Sequence, residues 1–382
     1  MRAFLTKLLK KVIKFYCSTF ISINPNTILI LESSYPSGSN SMIVYNRLKQ
    51  LNKYKVVRIN EKDLYLKKRK VMNKIYRIKQ IINLSKYQII LCTHGYEKYN
   101  NKQILIDLWH GIPLKAMRFM ETSNYENKWS KFNTDFLITT SKHHSVLMSA
   151  TMHIPFSKHK ILGYPRNDYL FSENNYDLLN IRRYNKILLY MPTFRQGYLD
   201  RIEGNVFDNL FNFEKFSEED FVNYLIDNNY LLIVKLHPME EELYKSKYSK
   251  YKNNIMFLST EKLEELEIDL YQILSSTDLL ITDYSSIYFD YLLLNKPIVF
   301  INSDIEEYRK KRGILLEPYD YWTPGYKVNN QKGLVYAIEQ SFKQDPFYEK
   351  RNELKNIFHY YQDGNSTERF IKFLDEIMVG KK

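Results

Sequence analysis

Short apolar runs recur along the chain, each closing on a polar turn, and segments of helical periodicity fill the intervals between them. The run TILILESS (27–34) predicts a strand leaving into a polar loop, and GSNSMIVYNRLKQL predicts a helix starting near Ser39. YKVVRI, YQIILCT (87–93), QILIDLWHG (103–111) and TDFLITTS (134–141) read as further strands, the last followed by a helix from about Ser141. The alternation stops at GYPRNDYLFSENNYDLLNIRRYN (163–185), where Pro, Gly and Asn mark turns. It restarts with KILLYMPTFR (186–195), passes through an irregular aromatic-rich segment to about residue 216, and continues with strands at LLIVKLHP (231–238), NIMFLST, DLLITD (278–283) and KPIVFI (296–301). Helices are expected at EEDFVNYLIDNNY, EIDLYQILSST and YSSIYFDYLLLN, and from about 331 to the end. Apolar strands alternating with helices indicate parallel sheets covered on both faces.

The expected fold is therefore α/β: two Rossmann-type doubly wound halves with a cleft between them, preceded by an amphipathic helix. The division expected is 1–23, 24–175 and 176–382. A chain of 382 residues suits two such units. In sheets of this kind ligands sit beyond the carboxyl ends of the strands.

The first 23 residues carry Phe4, Leu5, Leu8, Leu9, Val12 and Ile13 at helical spacing, with Lys7, Lys10, Lys11 and Lys14 among them. Lysines interrupt the uninterrupted apolar core that a signal peptide needs. The pattern suits a basic helix lying on an anionic membrane surface, or one packed on the protein's own core. No run of 18 uncharged apolar residues predicts a spanning helix. Lys+Arg 56 against Asp+Glu 43 gives a net charge of +13, which favours anionic partners. The abundance of Asn, Lys, Ile and Tyr also fits a base-composition bias in the gene. No nucleic-acid-binding signature is present, so no nucleic-acid partner is expected. Cys17 and Cys92 lack disulfide or metal-ligand spacing, and neither a metal site nor a cofactor is expected.

Polar clusters fall at the strand ends. In WHGIP, His110 follows a strand and precedes Gly111, a place where an imidazole can accept a hydroxyl proton or merely satisfy loop carbonyls. In KLHP, alternation puts Lys235 and His237 on one face, where they can meet a diphosphate. MPTFR ends in Arg195, whose fork suits phosphate oxygens. In TDYSS, Ser285 and Ser286 open a helix, which serves as an N-cap or as a phosphate seat, and Asp283 caps or accepts a hydrogen bond from another ligand group. Near the end, YYQDGNSTERF places Asp363 in a turn and Glu368 and Arg369 at the last helix. No GxGxxG, Walker, GxSxG or HExxH pattern accompanies them.

Taken together, LWHGIPLKAM (108–117), GYPRND (163–168), MPTFR, KLHP, TDYSSIYFDYLLLNKPIVF and DGNSTER (363–369) resemble the bacterial CDP-glycerol glycerophosphotransferase family, over about residues 104–370. The resemblance implies a GT-B-type fold and a CDP-glycerol or CDP-ribitol donor. It implies an acceptor that is polyprenyl-linked or a growing polymer, and a product in wall teichoic acid or capsule synthesis. It also implies peripheral attachment to the cytoplasmic face of the bacterial membrane. By the same resemblance His110 looks like the catalytic base and His237 like the residue that meets the donor diphosphate. Gly111, Arg195, Lys235, Asp283, Ser285, Ser286, Asp363, Glu368 and Arg369 fall at substrate-contacting positions. Ile112 stands where the family often has Thr, and Phe194 where it often has Trp, which leaves donor and acceptor identity open. The rival readings are a GT-B glycosyltransferase using a sugar nucleotide and a non-catalytic basic binding protein.

Overall fold

A computed structural model describes residues 2–65, 72–121, 132–173, 175–194, 196–197, 201–202 and 209–380. The first six strands are β1 (Asn24–Glu32), β2 (Lys55–Asn60), β3 (Tyr87–Cys92), β4 (Ile104–Asp107), β5 (Phe136–Thr139) and β6 (His159–Ile161). They form one sheet in the order β2-β1-β3-β4-β5-β6, with every neighbouring pair parallel. The second sheet begins at β7 (Lys186–Tyr190). A two-stranded antiparallel ribbon, β8 (Gln196–Gly197) and β9 (Arg201–Ile202), follows it. The sheet continues with β10 (Tyr230–Val234), β11 (Ile255–Phe257), β12 (Leu279–Thr282), β13 (Ile298–Ile301) and β14 (Tyr326–Val328), in the parallel order β11-β10-β7-β12-β13-β14. Two parallel α/β sheets were expected from the alternation. The three-residue edge strands β6 and β14 were not.

The central strands are buried on both faces because they are apolar up to at most one polar end residue, Asp107 in β4 and Thr282 in β12: β4, β12 and β13 are buried at every position. Polar residues set where helices begin. Ser39 caps the helix Asn40–Leu51 by accepting from Met42 N, and that helix ends on Asn52 in the left-handed conformation. Ser141 caps Lys142–Met152 in the same way. Ser217 caps Glu218–Asp227, whose first turn carries three acidic residues that complement the helix dipole.

One apolar cluster spans both halves. It joins Trp109, Ile112, Leu114 and Tyr164 to Tyr271, Ile287, Tyr288 and Phe289. The backbone also crosses: Ala116 N donates to Gly313 O, and Leu315 N to Leu114 O, around a bridge between Lys115 and Ile314. The last helix, Ser366–Val379, returns to the first sheet, where Phe370, Ile371, Leu374 and Met378 pack with Ile28, Ile30, Ile89 and Ile106. The sequence expectation had grouped this helix with the second half.

The first helix spans Arg2–Phe20. Ser18 and Ile21 tie its end to Asn101 and Asn100, and Cys17 is buried. Leu8, Leu9, Val12, Phe15 and Phe20 are exposed. Among the described residues no helix is long and apolar enough to cross a membrane.

Candidate active site

β4 ends at Asp107, and the next three residues turn sharply. The buried Asp107 carboxylate accepts from Trp109 N at 2.8 Å, and Leu108 N donates to Cys92 O. Burial pushes the Asp107 carboxyl up to about 7, against the pull of that hydrogen bond. Trp109 has φ 53, a strained value for a bulky residue. The surroundings hold it there: the Asn40 side-chain amide donates to the carbonyls of Leu108 (3.2 Å) and Trp109 (2.9 Å), and the Trp109 indole donates to Gly111 O at 2.7 Å. His110 therefore leaves the strand in a fixed direction.

The His110 ring has its own constraint. Its Nδ1 lies 2.7 Å from the Thr93 carbonyl oxygen. A carbonyl only accepts, so Nδ1 carries the proton and Nε2 of the neutral ring carries the lone pair. Burial holds the His110 pKa well below its ordinary value, with the neighbouring His94 adding to the shift and the Thr93 bond opposing it. The result is a neutral imidazole with a basic nitrogen, the form a general base requires.

The facing wall comes from the second sheet. Lys235 and His237 follow β10, and Lys235 is buried 3.7 Å from the Glu241 carboxylate. Burial lowers the Lys235 pKa, and Glu241 partly restores it. The His237 ring stacks on Phe194 at 3.9 Å, and burial followed by the Lys235 charge lowers its pKa. Ser285 and Ser286 follow β12. Ser286 occupies the N-cap position of the helix Ile287–Tyr291, yet its side chain makes no capping bond. The expectation of a serine side-chain cap is thus corrected at Ser286, where the backbone is already helical and the hydroxyl caps nothing.

A cavity of about 330 Å³ lies between these walls. His110, Gly111 and Lys115 line it from one side, and Phe194, Lys235, His237, Ser285 and Ser286 from the other. Among the described residues no carboxylate lines it, and the charged side chains that do, Lys115 and Lys235, are cationic. Gly111 permits the close approach of the two halves: a Cβ there would meet Ser286 Oγ at 2.6 Å and its Cβ at 3.0 Å.

Other expected site residues lie elsewhere. Asp283 is buried, accepts from Thr193 N at 2.7 Å, and so ties the loop after β7 to β12 outside the cavity lining. Asp363, Glu368 and Arg369 do not line the cavity either. Asp363 and Arg369 pair at 2.8 Å, Arg369 Nε donates to Leu162 O, and Glu368 pairs with Arg47 at 2.6 Å. These contacts dock the last helix on the first half. Arg195 lies outside the described residues.

The residues that join the halves were missed. Arg166 Nη2 pairs with Asp290 at 2.6 Å, both being buried, and Asn167 and the Tyr271 hydroxyl donate to the same carboxylate. Arg166 N donates to Asn40 Oδ1, which links this network to the turn that carries His110. The polar run Pro165–Asp168 between apolar segments was the available signal.

Two six-stranded parallel sheets facing one cationic cavity define a GT-B-like α/β protein. The chain matches the model of the CDP-glycerol:poly(glycerophosphate) glycerophosphotransferase family over residues 14–376, and it belongs to that family. It is 30% identical over 248 residues to the teichoic acid glycerol-phosphate primase of Bacillus subtilis (strain 168), covering 64% of this chain and 58% of the primase. It is 27% identical to the teichoic acid ribitol-phosphate polymerase TarL of Staphylococcus aureus (strain NCTC 8325 / PS 47), covering 91% of this chain and 62% of TarL. The chain thus spans about six-tenths of the length of these relatives. Its fold is similar to that of the wall teichoic acid polymerase TagF, with TM-score 0.75 and 19% identity, covering 99% of this chain and 95% of that one. A TagF variant soaked with CDPG gives TM-score 0.72 at 19% identity, with 100% and 96% covered.

Proposed function

We propose that this protein transfers a polyol phosphate, glycerol phosphate or ribitol phosphate, from a CDP-activated donor to an acceptor hydroxyl in wall teichoic acid synthesis. The observation that carries this reading is the cavity, which sets the neutral His110 opposite Lys235, His237, Ser285 and Ser286, with no carboxylate among the described residues of its lining. His110 Nε2 takes the acceptor hydroxyl proton as the oxygen attacks the phosphorus bearing the polyol. The new O–P bond forms as the bond to the bridging oxygen breaks, and CMP leaves with that oxygen. Such transfer depends on positioning and charge neutralisation. Lys235, His237 and the two serines supply the neutralising and hydrogen-bonding groups. Family membership and the relatives' names support the donor class.

In this reading residues 24–175 seat the acceptor and the second sheet seats the donor. The acceptor is polyprenyl-linked or a growing polymer. The exposed Leu8, Leu9, Val12 and Phe15, with Lys11 and Lys14, rest on the anionic cytoplasmic face of the membrane. The test is to supply CDP-glycerol, CDP-ribitol and sugar nucleotides with lipid-linked acceptors and weigh the products. The expected product gains one polyol phosphate per CMP released. A hexose increment from a sugar nucleotide would replace this reading with a glycosyltransferase.

A further inference from the structure

His94, directly after β3, lies outside the cavity lining and has no part in the reaction above. Its ring stacks on that of His110, with centroids 4.0 Å apart and planes within 6° of parallel. It is held from below: His94 Nδ1 lies 2.8 Å from Ser33 Oγ and 2.9 Å from Thr93 Oγ1, and these two hydroxyls are 2.9 Å from each other. Thr93 thus grips both rings, His94 through its hydroxyl and His110 through its carbonyl. A hydrogen bond at Nδ1 alone leaves an imidazole free to swing about that bond, and the Trp109 ring, with its centroid 4.3 Å away and its plane tilted by 33°, bounds the swing without setting the plane. A parallel ring at van der Waals distance removes that freedom.

We propose that His94 is a positioning residue: its ring, locked by Ser33 and Thr93, fixes the plane of His110 so that Nε2 meets the acceptor hydroxyl. The inference rests on the reading of His110 as the base. It also explains why three strand ends converge here, with Ser33 after β1, Thr93 and His94 after β3, and His110 after β4. Stacking shields one face of His110 from water, which adds to the low pKa of the base. The charges of His94, Arg166 and Lys115 act on His110, and those of Glu32 and Arg166 act on His94, whose ring also faces that of His110. Removing His94 leaves Arg166 and Lys115 in place, so the His110 pKa rises toward 6.5 without reaching the value of a free imidazole.

The test uses the full chain with His94→Ala, His94→Phe and Ser33→Ala. CDP-glycerol affinity is measured by calorimetry, single-turnover transfer as a function of pH, and His110 titration by NMR. His94→Ala should slow transfer about 10–100-fold, the order expected for a misplaced reacting group. Donor affinity should be unchanged, and both the acid limb and the His110 titration should move to higher pH. His94→Phe keeps a flat ring and should recover the rate to within about threefold of the parent. Ser33→Ala should fall between the two. An unchanged His110 titration in His94→Ala overturns the inference whether or not transfer is detected. So does a His94→Phe rate as low as that of His94→Ala, which would mean the imidazole itself touches substrate. If the parent neither binds CDP-glycerol nor transfers from it, the functional reading fails separately, and the titration still decides the role of His94.

Discussion

His110, Lys235 and His237 are set by contacts that their own short motifs do not contain. His110 is neutral because its half-buried ring is desolvated and its Nδ1 is bonded to Thr93 O, so the sign of its pH response is fixed. A base with a depressed pKa remains competent as pH falls through 6.5 and is lost only below it. Transfer should therefore stay level from pH 8 to about 6.5 and decline at lower pH. A pH–rate profile for single-turnover transfer that already halves near pH 7.5 would contradict the burial argument. The serines follow a different logic. Ser286 makes no capping bond, so Ser285→Ala with Ser286→Ala should cost well under the roughly 0.5–2 kcal/mol of a lost cap. The same change should weaken donor binding measurably. Calorimetric donor affinity equal to the parent's would show that the hydroxyls serve neither purpose.

At the scale of elements, the last helix shows how distant parts of the chain are joined. The Asp168 carboxylate accepts from Ser366 N and Thr367 N, both at 2.8 Å, and so satisfies two amides at the start of that helix. Asp168→Ala should destabilise the protein by about 1–3 kcal/mol, read from urea unfolding, because two buried donors lose their acceptor. A loss below about 0.5 kcal/mol would mean that apolar packing alone seats the helix. The first helix exposes Leu8, Leu9, Val12, Phe15 and Phe20 beside lysines. Deleting residues 1–23 should release the protein from anionic vesicles while the two sheets stay folded, and sedimentation unchanged at low and high salt would oppose that. The strands were legible because buried parallel strands need continuous apolar residues, as in LLIT (279–282) and IVFI (298–301). The edge strands β6 (HKI) and β14 (YKV) were not, since each sets a lysine at its centre, whereas the equally short β11 (IMF) is apolar throughout. Nor was the docking of Phe370 and Leu374 on Ile28 and Ile30, which sequence separation conceals. His110, Lys235 and His237 were legible from their places after apolar runs. Asp363, Glu368 and Arg369 were expected at the substrate, and the contacts that fasten the last helix through them were not legible in the sequence.

Over the whole molecule, the two sheets are joined by apolar packing, by backbone bonds around Lys115 and Ile314, and by the buried Arg166–Asp290 pair. Asp290 is shared by Arg166, Asn167 and Tyr271. Asp290→Ala should cost about 3–5 kcal/mol of stability, the usual loss when one member of a buried pair is removed. An unfolding free energy within 1 kcal/mol of the parent would show that the halves do not depend on it.

In the proposed function the base stands on one wall and the donor seat on the other, and that division is the centre of the account. Donor calorimetry paired with single-turnover transfer for His110→Ala and His237→Ala tests it most directly. His110→Ala should lose about 10²–10⁴-fold in rate while binding CDP-glycerol nearly as the parent does. His237→Ala should lose donor affinity together with rate. Donor affinity lost in His110→Ala and kept in His237→Ala would reverse the two walls, and parent rates in both variants would show that the reaction takes place elsewhere.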